Sequence, residues 1–217
     1  MYRLYAFFTQ NSMKTVYVAE ELGIDYEFRY VDLFKGENRT GEFRELTPAG
    51  KVPVLQVGNQ SLFESGAICR YLANAEQSPL YPAAALERAW VDQWMDYFTC
   101  HLGRWLSTLY FETIIKPRAG LGEPDPKSCE EAQNYTGQQM AMVEAWLQKR
   151  RYLTGEQLTI ADLFAFAYVE QAGPLEISLA GFPNLSRWFE SMESRPGVQR
   201  AREKVAELRR KSPVNSG

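Results

Sequence analysis

The sequence predicts two domains of different class: a small mixed α/β domain over residues 1–77, in the order βαβαββα, and an all-helical domain over 86–217. Three observations predict it. Strand-like and helix-like periodicities alternate up to residue 75, after which strand signals stop. Gly58-Asn59 separates two short β-rich runs and suits a tight hairpin turn. "EQSPLYPAAA", 76–85, is rich in proline and small residues and reads as a connection, with 78–85 as the linker proper.

Each element has its own signal. Residues 2–8 read as a strand. Residues 11–22 read as a helix, because Val16, Ala19 and Leu22 recur at helical spacing and Gly23 stands at a helix stop. "YEFRYVDL", 26–33, alternates and carries aromatic and β-branched residues, so it reads as a strand. A short helix over 40–46 ends before Pro48. Two hairpin strands follow, then a helix over 65–75 with Ala67, Ile68, Tyr71 and Leu72 on one stripe. A parallel βαβ half followed by a hairpin half makes one small sheet with helices on its faces. Residues 86–115 give a long helical pattern, bent at Gly103 and stopped before Pro117. Helices follow over 127–149, from Thr159 to Gly173-Pro174, and over 184–193 and 197–210.

Composition narrows the function class. The 217 residues are 45% hydrophobic and 13% aromatic, enough for a sizeable core. The formal charge is −3, which argues against nucleic acid and against an anionic membrane. The basic run Arg200, Arg202, Lys204, Arg209, Arg210, Lys211 is broken by Glu203 and Glu207 and reads as a solvated helix end. Three cysteines, Cys69, Cys100 and Cys129, form neither a disulfide framework nor a zinc pattern, and no metal is expected. The N-terminus reads as lacking a signal peptide, and no apolar run is long enough to span a bilayer. A cytoplasmic protein is expected.

Four stretches carry chemistry. "FFTQNSMK", 7–14, lies between a strand and a helix, with Thr9 and Ser12 at C-x-x-C spacing but no cysteine. "TPAGKVPVL", 47–55, puts Pro53 at a strand start. A trans bond there is the ordinary reading; a cis bond would turn the Val52 backbone outward, able to pair with an extended ligand. In "FESGAI", 63–68, Ser65 reads as the helix N-cap, or as a carboxylate site with Glu64 holding a neighbouring ammonium. In "QLTIADLFAFA", 157–167, Thr159 and Asp162 form a capping pattern ahead of an apolar helix, a structural feature.

In this order and spacing, the last three motifs resemble the soluble glutathione transferase superfamily over nearly the whole chain. "TQNSMK" with "VDLFKGEN" is similar to the bacterial nu class and its theta relatives. The resemblance implies a thioredoxin-like first domain that binds glutathione as co-substrate, and a helical second domain that contributes the second-substrate site. It implies that Val52 pairs with the cysteinyl backbone beside a cis Pro53. Glu64 and Ser65 would hold the γ-glutamyl end, and Asn38 and Lys51 would lie near the glycyl carboxylate. Thr9 and Asn11 are the expected groups facing the sulfur. Ser12 is the runner-up, and Asn11 or Ser12 could instead merely cap the helix. Tyr2 and Tyr5 lie too early to be the tyrosine of other classes. Candidates for the second-substrate pocket are His101, Arg104, Trp105 and Tyr110, although Trp94 and Trp105 also suit a core or interface. The second substrate would be a small hydrophobic electrophile, chosen by that pocket and the C-terminal tail. The alternatives are a glutathione-dependent disulfide reductase or peroxidase, and a non-catalytic transferase-like binding module. A homodimer through the helices starting at 65 and 86 is also expected.

Overall fold

The computed structural model describes residues 1–211. The chain divides into two compact units, Met1–Ser78 with the stretch from Met192 onward, and Pro79–Ser191.

The first unit follows the predicted order. It contains β1 (Tyr2–Ala6), α1 (Gln10–Leu22), β2 (Tyr26–Tyr30), a 3₁₀ turn (Glu37–Arg39), α2 (Gly41–Leu46), β3 (Val54–Val57), β4 (Gln60–Phe63) and α3 (Ser65–Ala75). The sheet order is β2-β1-β3-β4, with β1 and β2 parallel and the other two pairs antiparallel. Gly23 takes the left-handed conformation (φ 67°) and its N–H closes on Ala19 and Glu20, so α1 ends where a glycine makes that turn cheap. β1 and β2 end at Ala6 and Tyr30, earlier than the sequence pattern suggests, because the chain turns there: Thr9 N–H reaches Phe7 C=O, and Asp32 Oδ1 accepts from the N–H groups of Phe34 and Lys35.

The core of this unit is Leu4, Ala6, Val16, Val18, Leu55, Ile68 and Leu72, each at most 2% exposed. α2 adds Phe43, which packs with Val31 and Val54. Helix α1 is buried along most of its length, because α3 and the last helix, α10 (Pro196–Lys211), both pack on it. Glu20 and Glu21 place negative charge at the unfavourable end of the α1 dipole. Arg195 donates to Glu21, while Lys204 and Arg200 pair with Glu20 at 2.9 and 3.8 Å. Arg200 and Lys204 therefore bind helix to helix instead of forming the solvated end expected from sequence. Gly197 is needed at this crossing: a Cβ there would stand 2.7 Å from Glu21 Cα.

The second unit is helical. It contains α4 (Ala85–Cys100), α5 (Leu102–Tyr110), a π-helical segment (Phe111–Ile115), α6 (Lys116–Arg118), α7 (Pro126–Leu147), α8 (Ile160–Val169), a 3₁₀ turn (Glu170–Ala172) and most of α9 (Pro183–Glu193). Two expectations are corrected here. The long helix breaks at His101 (φ −118°, ψ −95°), not at Gly103. Gly103 serves a close approach instead, since a Cβ would meet Tyr168 at 2.5 Å and Phe98 C=O at 2.2 Å. The helical run also does not stop before Pro117. Pro117 lies in α6, which continues directly from the π-helical segment Phe111–Ile115. Helix α8 is buried on every side, with α4 and α5 against it. Among the described residues, no helix is long and apolar enough to cross a membrane.

Candidate functional site

Sheet register gathers the first-unit motifs at one end. Ala6, the last residue of β1, pairs with Tyr30, the last of β2. Tyr5 pairs with Val54, the first of β3, and Val54 pairs with Phe63, the last of β4. Thr9–Ser12, Val52-Pro53 and Glu64-Ser65 therefore all lie at the same end of the sheet. The Val52–Pro53 bond is cis.

At the start of α1 the N-cap is Thr9, not Asn11 or Ser12. Its Oγ1 accepts the Ser12 N–H at 3.4 Å, a long bond. Its own O–H is 3.4 Å from Ser12 Oγ and correspondingly weakly held. Ser12 is 1% exposed, and its Oγ accepts the Phe7 N–H at 3.3 Å, which ties the loop to the helix. Asn11 is half-buried, and its Oδ1 accepts from Lys14 Nζ at 2.7 Å. The tyrosine hydroxyl nearest in sequence, that of Tyr5, donates to Gln56 Oε1 at 3.2 Å within the sheet.

At α3 the N-cap is Glu64, and Ser65 is the first helical residue, which corrects the cap assignment. Glu64 is exposed and sits at φ 71°, a left-handed conformation unusual for glutamate, and no side chain caps this helix start. Ser65 is 8% exposed. Asn38 Nδ2 donates to Gly50 C=O at 2.7 Å, so it braces the loop leading to Val52 with one of its two N–H groups. Lys51 is exposed.

Two ionisable groups lie deep beside this end. Lys14 is 1% exposed; burial lowers its pKa to about 7 against the opposing pull of Cys69 and Glu64. Cys69 in α3 is fully buried, and burial pushes its thiol up to about 12, so it is not a reactive thiolate at neutral pH. Sequence reasoning did not single out Lys14. The signal was present: Asn11, Lys14 and Val18 follow the spacing of one helix face, and that face is buried.

In the second unit, His101 is exposed beside the Tyr97 ring (5.3 Å). Arg104 lies 4.8 Å over Trp105, and Trp105 stacks on Tyr135 at 4.6 Å. Trp105 therefore joins α5 to α7, while Tyr110 is half-buried at the end of α5. Trp94 is 4% exposed, packed on Tyr97, Phe98 and Trp146. Residues 212–217 of the C-terminal tail, invoked above for substrate choice, lie outside the described residues.

Comparison with known proteins gives the family. Residues 1–74 match the glutathione S-transferase N-terminal domain and residues 100–196 the C-terminal domain. The chain belongs to the glutathione S-transferase family, with a thioredoxin-like first domain and a helical second. Glutathione S-transferase 3 of Zea mays is 31% identical over 88% of this chain and 87% of its own length. A solved glutathione S-transferase-I bound with lactoylglutathione has a TM-score of 0.84 at 30% identity, covering 92% of this chain and 97% of that one. A glutathione transferase family member from Pseudomonas fluorescens, solved with two glutathione bound, has a TM-score of 0.82 at 27% identity, covering 92% and 91%.

Proposed function

We propose that this chain binds glutathione at this end of the first-unit sheet, holds its sulfur ionised at the start of α1, and delivers it to the electrophilic carbon of a small hydrophobic second substrate. One observation carries the reading: three chain segments of suitable chemistry meet at one end of the sheet, each beside a helix start or a strand end able to pair with a peptide. Thr9 and Asn11 are the proposed sulfur donors. The weakly held Thr9 O–H supports this, whereas Ser12, buried and engaged by Phe7, fits better as a brace. Val52 would pair with the cysteinyl backbone. Ser65 and the uncapped start of α3 would take the γ-glutamyl carboxylate, with Glu64 on its ammonium and Lys51 and Asn38 toward the glycyl end.

The energetics suffice. An ordinary thiol pKa of about 8.5 must fall by roughly two units, which requires about 2.7 kcal/mol. One hydrogen bond to a charged sulfur contributes about 1.5–3 kcal/mol, and the helix start adds up to about 1. No general base is required. The thiol proton leaves to solvent; a carbon–sulfur bond then forms as the leaving group departs with its electron pair. His101, Arg104 and Tyr110 remain the proposed second-substrate residues of the helical unit, with Trp105 more a packing residue there. A cytosolic location and a homodimer through α3 and α4 belong to the same proposal, and light scattering tests the dimer.

A second reading is glutathione-dependent disulfide or peroxide reduction; it rests on the resemblance of "TQNSMK" to the nu class, a class that the matched curated relatives, plant glutathione S-transferases among them, do not single out. The Pseudomonas fluorescens relative with two glutathione bound favours it, because two such ligands would need no protein thiol. Paired assays test both: conjugation to a chloro-dinitro aromatic, and reduction of hydroxyethyl disulfide. Dominant conjugation, lost in Thr9→Ala and Asn11→Ala, supports the transferase. Dominant disulfide reduction supports the second reading, and silence in both assays leaves a binding module.

A further inference from the structure

We infer that Lys14 is a positioning residue for the sulfur donor Asn11: its buried ammonium fixes the amide oxygen inward, so that the amide NH2 is the end offered to the sulfur. The inference rests on the proposed role of Asn11.

The geometry is specific. Among the described residues, Lys14 is the one buried lysine or arginine. It lies three residues after Asn11 on the same face of α1, and Nζ meets Oδ1 at 2.7 Å. An ammonium has three donors and no acceptor, so it can meet only the oxygen end of an amide. An asparagine side chain otherwise turns end for end at little cost, and half of its orientations would aim a lone pair at an anion. Lys14 removes those orientations and polarises the amide, which strengthens the opposite N–H as a donor. A surface lysine could not do this, since water would compete for its donors.

The charge on Lys14 is also poised. Burial disfavours it and the Glu64 carboxylate favours it; Cys69 beside it, with Arg70 on its own helix, is a neutral thiol at this pH and adds no charge. From α10, Arg200 and Lys204 meet α1 only at Glu20, further along the helix. A negative sulfur accepting a hydrogen bond from the Asn11 NH2 adds one more group favouring the protonated amine. Lys14 should thus hold its proton more tightly when the sulfur is ionised.

The test follows the ultraviolet absorbance of bound glutathione thiolate against pH in wild type, Lys14→Met, Asn11→Ala and the double variant. Lys14→Met should raise the thiol pKa by about one unit, a tenfold change in the ionised fraction at low pH. Lys14→Arg, which keeps the charge and donors, should restore it. The double variant should be no worse than Asn11→Ala alone, because Lys14 acts through that amide. A raised pKa in Asn11→Ala with none in Lys14→Met overturns the inference and leaves the proposed site standing. No change in Asn11→Ala overturns the site itself. If Lys14→Met does not fold, NMR of the labelled lysine side chains in the wild-type chain gives the answer. The Lys14 titration should move up by about one unit with glutathione and stay in place with S-methylglutathione. Equal shifts with both ligands overturn the inference.

Discussion

Helices α1 and α8 both begin with a threonine N-cap, and the two starts are built for opposite ends. At α8, Thr159 is 3% exposed and Asp162 is fully buried. The Asp162 carboxylate accepts from the N–H groups of Leu153 (2.9 Å) and Thr159 (3.0 Å), the Thr159 hydroxyl (3.2 Å) and the Trp188 indole (3.0 Å). These four donors all go to one buried carboxylate, so none of them is left for a ligand. At α1, Ser12 stands where Asp162 stands in α8, and the cap bonds stretch to 3.4 Å. A saturated helix start stabilises; a slack one can recognise. Thr9-x-x-Ser12 and Thr159-x-x-Asp162 differ at one informative position, and that position decides which helix start is available for chemistry.

Substitutions can break this contrast. Asp162→Ala strands four donors and should cost about 3–5 kcal/mol, read as a lower denaturant midpoint, while the protein that remains folded keeps its affinity for glutathione. Thr9→Ala should do the reverse. Its kcat/KM for conjugation should fall about 10- to 100-fold, with stability changed by no more than about 1 kcal/mol. Equal losses of stability in both variants would erase the distinction between the two starts.

Lys14 sharpens the comparison through pH. Its folded pKa, about 7, lies below the ordinary lysine value, so the unfolded chain binds more protons between about pH 7 and 10. Folding stability should therefore rise with pH across that window, by up to about 1.4 kcal/mol per unit, and Lys14→Met should flatten that contribution. Below about pH 7 the two slopes should converge. Denaturant melts at several pH values check the sign. The smallest effect is expected from Cys100→Ser. The thiol is exposed and outside the sulfur site proposed here, so both paired activities should remain within about twofold of wild type, as surface substitutions usually do.

Much of the fold was legible because it is local. Gly23, Gly58-Asn59 and the apolar stripes each act within a few residues, and from β1 to α3 the structure has the expected strands and helices in the expected order. The misplacements have tertiary causes. Gly103 looked like a bend because glycine weakens helices, yet its role is to admit Tyr168. The break falls instead at His101, whose side chain carries no breaking signal. At the candidate site, the motifs were readable as residue types at fixed spacing. Where Asn11 sends its oxygen depends on Lys14 being buried. A lone lysine in a helix pattern reads as solvent-facing until the helices packed on α1 are known. The attachment of α10 to α1 was hidden for the same reason, since its contacts join residues about 180 positions apart.

That attachment bears on how the protein is made. During synthesis, β1, α1 and the rest of the sheet leave the ribosome long before residues 195–204 exist. Until then Glu20 and Glu21 lack Arg195, Arg200 and Lys204, and the face of α1 that Gly197 will fit stays wet. The helical unit, Pro79–Ser191, is one continuous stretch and can complete its core first. The part of the chain translated earliest is thus among the last to be finished, and a nascent chain stalled before residue 195 would carry a sheet whose first helix still waits for its cover.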